Sequence, residues 1–143
     1  MSIDPGSSGP SAAGVLRGRL RSAAIDSQVA RDKAAKVLAA AAAVDAGVGG
    51  FGSLAFINDV LAAVVADGEA CLLGEFSRWA DCAGDGELFG ELTGMLWDRL
   101  SAAPGDEWSG RGNDLRRAYR DGQLAACKRL RTELRLVGVE TGR

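Results

Sequence analysis

Small and aliphatic residues recur in alternating steps of four and three between positions 16 and 48, and this periodicity constrains the fold more than any other feature. The positions hold Leu16, Leu20, Ala23, Ser27, Ala30, Ala34, Val37, Ala41, Val44 and Val48. Such spacing marks one face of an α-helix. Because most of these side chains are small, another helix can approach closely. We therefore predict a long, alanine-rich first helix over about 12–46. Its neighbour is either the chain's own next helix or a second copy.

Glycine clusters and apolar stripes divide the rest of the chain into further helices. Their predicted ranges are 53–67, 69–81, 87–102 and 113–137, with turns at Gly47–Gly52, Asp67-Gly68 and Gly84-Asp85-Gly86, a loop over 103–112, and a break at Asp121-Gly122. Their expected apolar faces include Leu72, Leu73, Phe76, Trp79, Leu88, Leu92, Leu96 and Leu100. No stretch has the period-two alternation of a strand. The predicted fold is all-α: a compact bundle of about five helices over 14–143, preceded by a flexible tail over 1–13.

Charge is distributed unevenly along the chain. Residues 1–36 carry six basic and three acidic side chains, residues 37–110 carry two arginines against twelve acids, and residues 111–143 carry nine basic side chains against four acids. Basic ends therefore flank an acidic middle segment. We expect the arginines of the last helix to pair with these acids, in the same chain or in a neighbour, although the same arginines could contact phosphates.

The residue types needed for most catalytic and metal sites are missing. Histidine is absent, which excludes Ser–His and Cys–His nucleophiles and imidazole ligands. Gly47-x-Gly49-x-x-Gly52 resembles the dinucleotide-binding fingerprint of Rossmann enzymes, but alanines, which are poor strand formers, precede it and no further strands follow. We interpret these glycines as a corner between helices. No cofactor is expected, and the protein is predicted not to be an enzyme.

Two other short patterns concern metals and redox state. Residues 81–87 resemble the start of an EF-hand calcium loop, but Ala83 and Leu92 stand where oxygen ligands are needed, so no metal site is expected. Cys71, Cys82 and Cys127 form an odd set without CxxC spacing, which favours a reducing, cytoplasmic location. No uncharged run is long enough for a typical membrane-spanning helix.

These observations favour a non-enzymatic protein-interaction or assembly module, for example a small structural subunit of viral or phage type. It would dock on a protein partner or on itself, as a homo-oligomer, through complementary charged helices. The predicted partner-binding residues are Leu16, Leu20, Ala23, Ala30, Ala34 and Val37. One alternative is a nucleic-acid-binding accessory protein, whose phosphate contacts would be Arg116, Arg117, Arg120, Lys128, Arg129, Arg131 and Arg135. A membrane-active helical hairpin, formed by the first helix and the glycine corner, is a further alternative.

Overall fold

The computed structural model describes residues 11–47, 54–101 and 114–139, and these residues form an all-helical bundle. The helices are α1 (Ala12–Gly47), α2 (Leu54–Cys82), α3 (Leu88–Ser101) and α4 (Asp114–Leu136). The all-α prediction and the long alanine-rich first helix are confirmed. Most of the predicted tail, most of the glycine corner and the loop over 103–112 lie outside the described residues. Of that tail, Ala12 and Ala13 belong to α1, and Ala13 is buried.

Several helix ends follow directly from local chemistry. Ser11 caps α1, since its hydroxyl oxygen accepts a hydrogen bond from the Gly14 amide at 3.0 Å. At the end of α4, Gly138 adopts a φ of +87°, a conformation that favours glycine. The Val139 amide then donates to the Leu134 carbonyl at 2.9 Å, which closes the last turn.

Two predicted breaks are wrong, because α2 runs through Gly68 and α4 runs through Gly122 without interruption. These glycines lie where the two helices cross at very short range. A Cβ atom on Gly68 would collide with the Tyr119 carbonyl oxygen, and one on Gly122 would collide with the Val65 carbonyl oxygen. The tertiary contact therefore explains both glycines, and the described residues form four helices rather than five.

Ion pairs and hydrogen bonds define the direction of each helix. Arg21 of α1 contacts Asp81 near the end of α2, whereas Arg31 contacts Asp67 further back, so α1 and α2 are antiparallel. Arg19 of α1 binds Glu133 near the end of α4. Since Gly122 meets the middle of α2, α4 runs in the same direction as α2. The short α3 packs against α4 and the second half of α2.

The hydrophobic core fills only the half of the bundle in which all four helices meet. Its largest members are Leu16, Leu20, Leu72, Leu73, Phe76, Leu88, Leu92, Leu96, Leu130 and Leu134. The predicted apolar face of α3 is therefore part of the core at Leu88, Leu92 and Leu96. The prediction for Trp79 is wrong, because its side chain was expected to be buried and is 48% exposed. It lies on the side of α2 next to the outer face of α3, where no further helix of the described chain covers it.

Cys127 is the buried cysteine, whereas Cys71 and Cys82 are exposed. Burial raises the pKa of the Cys127 thiol, because the thiolate is the charged form. At a given pH its reactive fraction is therefore smaller. We expect Ellman's reagent to modify two thiols rapidly in the native protein and the third only after unfolding. A Cys127→Ala variant should keep the rapid phase and lose the slow one, and three equally fast thiols would contradict the buried position.

Candidate interaction surface

The long helices α1 and α2 extend as a pair beyond the four-helix core. We call residues 28–43 of α1 and 56–67 of α2 the arm. Most arm residues are alanine, valine, leucine, isoleucine or phenylalanine. Nevertheless, between Ser27 and Gly68 none of the described side chains is fully buried. An apolar surface of this kind is typical of a docking site, because leaving it in water forgoes the free energy of burial.

The most exposed aliphatic side chains of the arm lie on both of its helices. Val29 and Val37 of α1 are 62% and 50% exposed, and Ile57 of α2 is 45% exposed. Each is a large apolar side chain that a globular core would bury. Both helices of the arm therefore carry exposed aliphatic surface.

A polar cluster fixes the base of the arm where it joins the core. The Arg31 guanidinium lies 3.5 Å from the Asp67 carboxylate, which also accepts a hydrogen bond from the Cys71 thiol at 3.7 Å. A hydrogen bond with the Cys71 side chain, together with partial burial, raises the pKa of the Tyr119 hydroxyl. These contacts join α1, α2 and α4, so the arm starts from a fixed position.

Beside this cluster lies a groove of about 540 Å³ between α2 and α4. Its lining residues are Val64, Asp67, Leu115, Arg116 and Tyr119. Leu115 is 47% exposed, so α4 extends the apolar surface of the arm at its base. Exposed apolar side chains are therefore present on both helices of the arm and on the first turn of α4.

The predicted partner-binding residues divide between the core and the arm. Leu16, Leu20 and Ala23 are buried in the chain's own core. These three residues therefore pack against other helices of the same chain and not against a second copy. The spacing had left both alternatives open. Ala30 and Val37 are exposed and Ala34 is half-buried, so these three remain on the arm.

The seven basic residues predicted to contact phosphates do not form one surface. Arg120 is only 8% exposed, and its Nη2 donates to the Arg99 carbonyl at 2.7 Å. The Arg131 guanidinium lies 5.5 Å from the centre of the Trp97 ring. Arg129 lines a groove between α1 and α4. The others are exposed: Arg116, Arg117, Lys128 and Arg135. The sequence also contains a signal for the burial of Arg120, because Cys127 and Leu134 follow it at intervals of seven residues on the same helix face.

Arginines of α1 form ion pairs with the acidic middle segment. Arg17, Arg21 and Arg31 bind Asp85, Asp81 and Asp67. Arg17 also donates to the backbone carbonyls of Ala80 and Ala83, both at 2.7 Å. The EF-hand-like carboxylates Asp81 and Asp85 thus hold α1 against the end of α2. The described residues contain no group of three or more potential metal ligands.

Comparison with known proteins adds no relative. No protein family, curated protein or solved structure matches this chain. Among the helices of the described part of the chain, none is long and apolar enough to cross a membrane. The function must therefore be inferred from the surface itself.

Proposed function

We propose that this protein is a non-enzymatic interaction and assembly module that self-associates through its arm. The observation that carries the proposal is the apolar arm, in which no described side chain is fully buried between Ser27 and Gly68. A second copy can cover this surface by laying its own arm alongside. Two paired helices from each copy would then form an intermolecular four-helix bundle, which buries the faces that one pair leaves in water.

The chemistry of the arm supports a protein partner over other ligands. Most of its residues are aliphatic, and association would be driven by apolar burial. Such association persists when salt screens exposed charges. A cytoplasmic location, expected from the cysteine content, belongs to the same proposal, as does a role as a small subunit of a larger assembly.

Two equally exposed aliphatic residues provide a matched test. Val29 lies on the arm and Leu136 lies outside it, and both are 62% exposed. We expect Val29→Glu to raise the dimer dissociation constant about tenfold or more, because a charge would have to be buried without a partner. Leu136→Glu introduces the same charge and should leave the constant unchanged. The measurement is multi-angle light scattering across a concentration series.

The outcomes separate this proposal from its alternatives. A wild-type protein that remains a monomer at every concentration would contradict self-association, as would equal effects of the two variants. Nucleic acid that copurifies with the protein, detected by its absorbance ratio, would instead favour phosphate binding by α4. Circular dichroism of both variants should match the wild type, since surface substitutions have small effects on folding.

A further inference from the structure

The outer face of α3 is a row of acidic and small residues. Glu87, which directly precedes α3, is followed by Glu91, Gly94 and Asp98 in steps of four, three and four, and all four residues are exposed. Within the described residues, neither Glu91 nor Asp98 forms an ion pair. The arginines Arg17, Arg19, Arg21, Arg31 and Arg99 each have an acidic partner. Within the described part of the chain, Glu91 and Asp98 thus form a negative strip without an ion-pair partner.

The outer face of α4 has the opposite charge and the same spacing. Leu124, Lys128, Arg131 and Arg135 also follow in steps of four, three and four. Leu124, Lys128 and Arg135 are exposed, whereas Arg131 lies partly over Trp97 at the junction with α3. Asp121 is one acid on this otherwise basic face. Since the spacing reads the same in both directions, the two rows match in parallel and in antiparallel orientation.

Space for a second helix exists beside α3. Gly90 and Gly94 are helical glycines on its exposed side, and a Cβ atom added to either would have no neighbour within 4 Å. Glycine inside a helix costs stability relative to alanine, and no packing within the described chain requires it here. A groove of about 210 Å³ runs along the same side, lined by Trp79, Glu91, Gly94, Met95 and Asp98. A basic helix can therefore approach α3 closely and contact the half-exposed Trp79.

We propose that the acidic face of α3 in one copy binds the basic face of α4 in a second copy. We choose a second copy as the partner because the chain itself carries, on the neighbouring α4, a basic row that complements the acidic row of α3. With α3 packed on α4 in each copy, a two-fold axis pairs both rows at once. Complementary charges fix the register and speed the encounter of the two copies. This inference rests on the proposed function in that both require self-association, but it concerns a second surface with a different chemistry.

Charge reversal in a variant with an impaired arm tests this contact alone. In a Val29→Glu/Val37→Glu background, we expect residual dimers at about 0.05 M salt that dissociate at about 0.5 M salt, where the Debye length falls to a few ångströms. Glu91→Lys/Asp98→Lys and Lys128→Glu/Arg135→Glu should each raise the low-salt dissociation constant about tenfold or more. Asp26→Lys, at an exposed position of α1 outside the arm and outside both charged rows, is the control and should change it little.

Complementation completes the experiment. An equimolar mixture of the two charge-reversed chains should restore part of the association, and one chain carrying all four reversals should approach the level of the arm-impaired parent. If the four-fold variant fails to fold by circular dichroism, the mixture decides the question. A background that is monomeric at low salt, or charge reversals without effect, would overturn the α3–α4 contact. Neither result would affect the arm, which is tested by the wild type and Val29→Glu.

Discussion

Gly122→Ala is expected to lower the free energy of unfolding by about 3 kcal/mol or more, the upper range for overpacking of a close contact. The new Cβ atom would overlap the Val65 carbonyl oxygen and lie 2.8 Å from the Glu69 amide nitrogen. Both are backbone atoms of α2, so no side chain can rotate away to make room. The helices would have to separate, which would loosen the core that they share. Urea denaturation followed by far-ultraviolet circular dichroism measures the effect.

A glycine with open surroundings is the matched control for this variant. Gly18 also lies inside a helix, but a Cβ atom there would meet nothing within 4 Å. Gly18→Ala should therefore raise the free energy of unfolding by about 0.5–1 kcal/mol, since alanine is the better helix former. The same substitution is thus expected to have opposite signs at the two positions. Equal effects, or a Gly122→Ala variant as stable as the wild type, would contradict the close crossing of α2 and α4.

Arg19→Ala should have an effect of similar size, about 3 kcal/mol, because it leaves a buried carboxylate unpaired. Glu133 is 2% exposed, and the Arg19 guanidinium reaches it with Nε and Nη2 at 2.9–3.1 Å. This two-point contact joins α1 to α4 across the bundle. Without it, the Glu133 carboxylate would have to remain buried without its counter-charge or draw water into the core. Chemical denaturation at neutral pH measures the loss.

Two further variants isolate the cause of this loss. Arg21 forms an exposed pair with Asp81, so Arg21→Ala should cost at most about 1 kcal/mol. Replacing both members of the buried pair, as Arg19→Met/Glu133→Leu, should recover most of the stability, since no buried charge remains. If Arg19→Ala and Arg21→Ala were equally mild, the buried pair would not hold the helices together. A double variant as unstable as Arg19→Ala would show that packing, rather than charge, accounts for the effect.

The periodicity of the sequence was sufficient to predict the helices and much of the core. Leu16 and Leu20 in α1, and Leu88, Leu92 and Leu96 in α3, are spaced at helical intervals and are buried as that spacing indicates. These predictions succeeded because hydrophobic periodicity reports directly on which side of a helix faces the core. The helices of the core are therefore encoded locally.

The errors arose where a distant contact overrides a local preference. Asp-Gly pairs favour turns, yet Gly68 and Gly122 remain helical because each fits the backbone of the other helix. The buried pair of Glu133 and Arg19 was also not predictable from the local sequence. It lies seven residues after the buried Ala126, so its position on the inner face was visible in the sequence. Its partner was not, because Arg19 is far away in the chain and α1 offers several arginines.

The interaction surface was only partly predictable for a related reason. The stripe from Leu16 to Val37 indicates one continuous helix face, and it gives no sign that the core ends near Ser27. Where the core ends depends on the length and placement of α3 and α4, which cover only part of the α1–α2 pair. The exposure of Ala30 and Val37 is thus a property of the assembled bundle rather than of α1 alone.

The crossing of α2 and α4 also bears on the order in which the chain acquires its structure. The α1–α2 pair joins neighbouring segments and can form while the remainder is being synthesised, whereas Gly122 meets Val65 only after both later helices have been made. Until then, the side of α2 that receives α4 is open to solvent along with the arm. The nascent chain therefore exposes this apolar side of α2 to aggregation until α4 has been made. The contact that tolerates the least change in sequence is among the last to form.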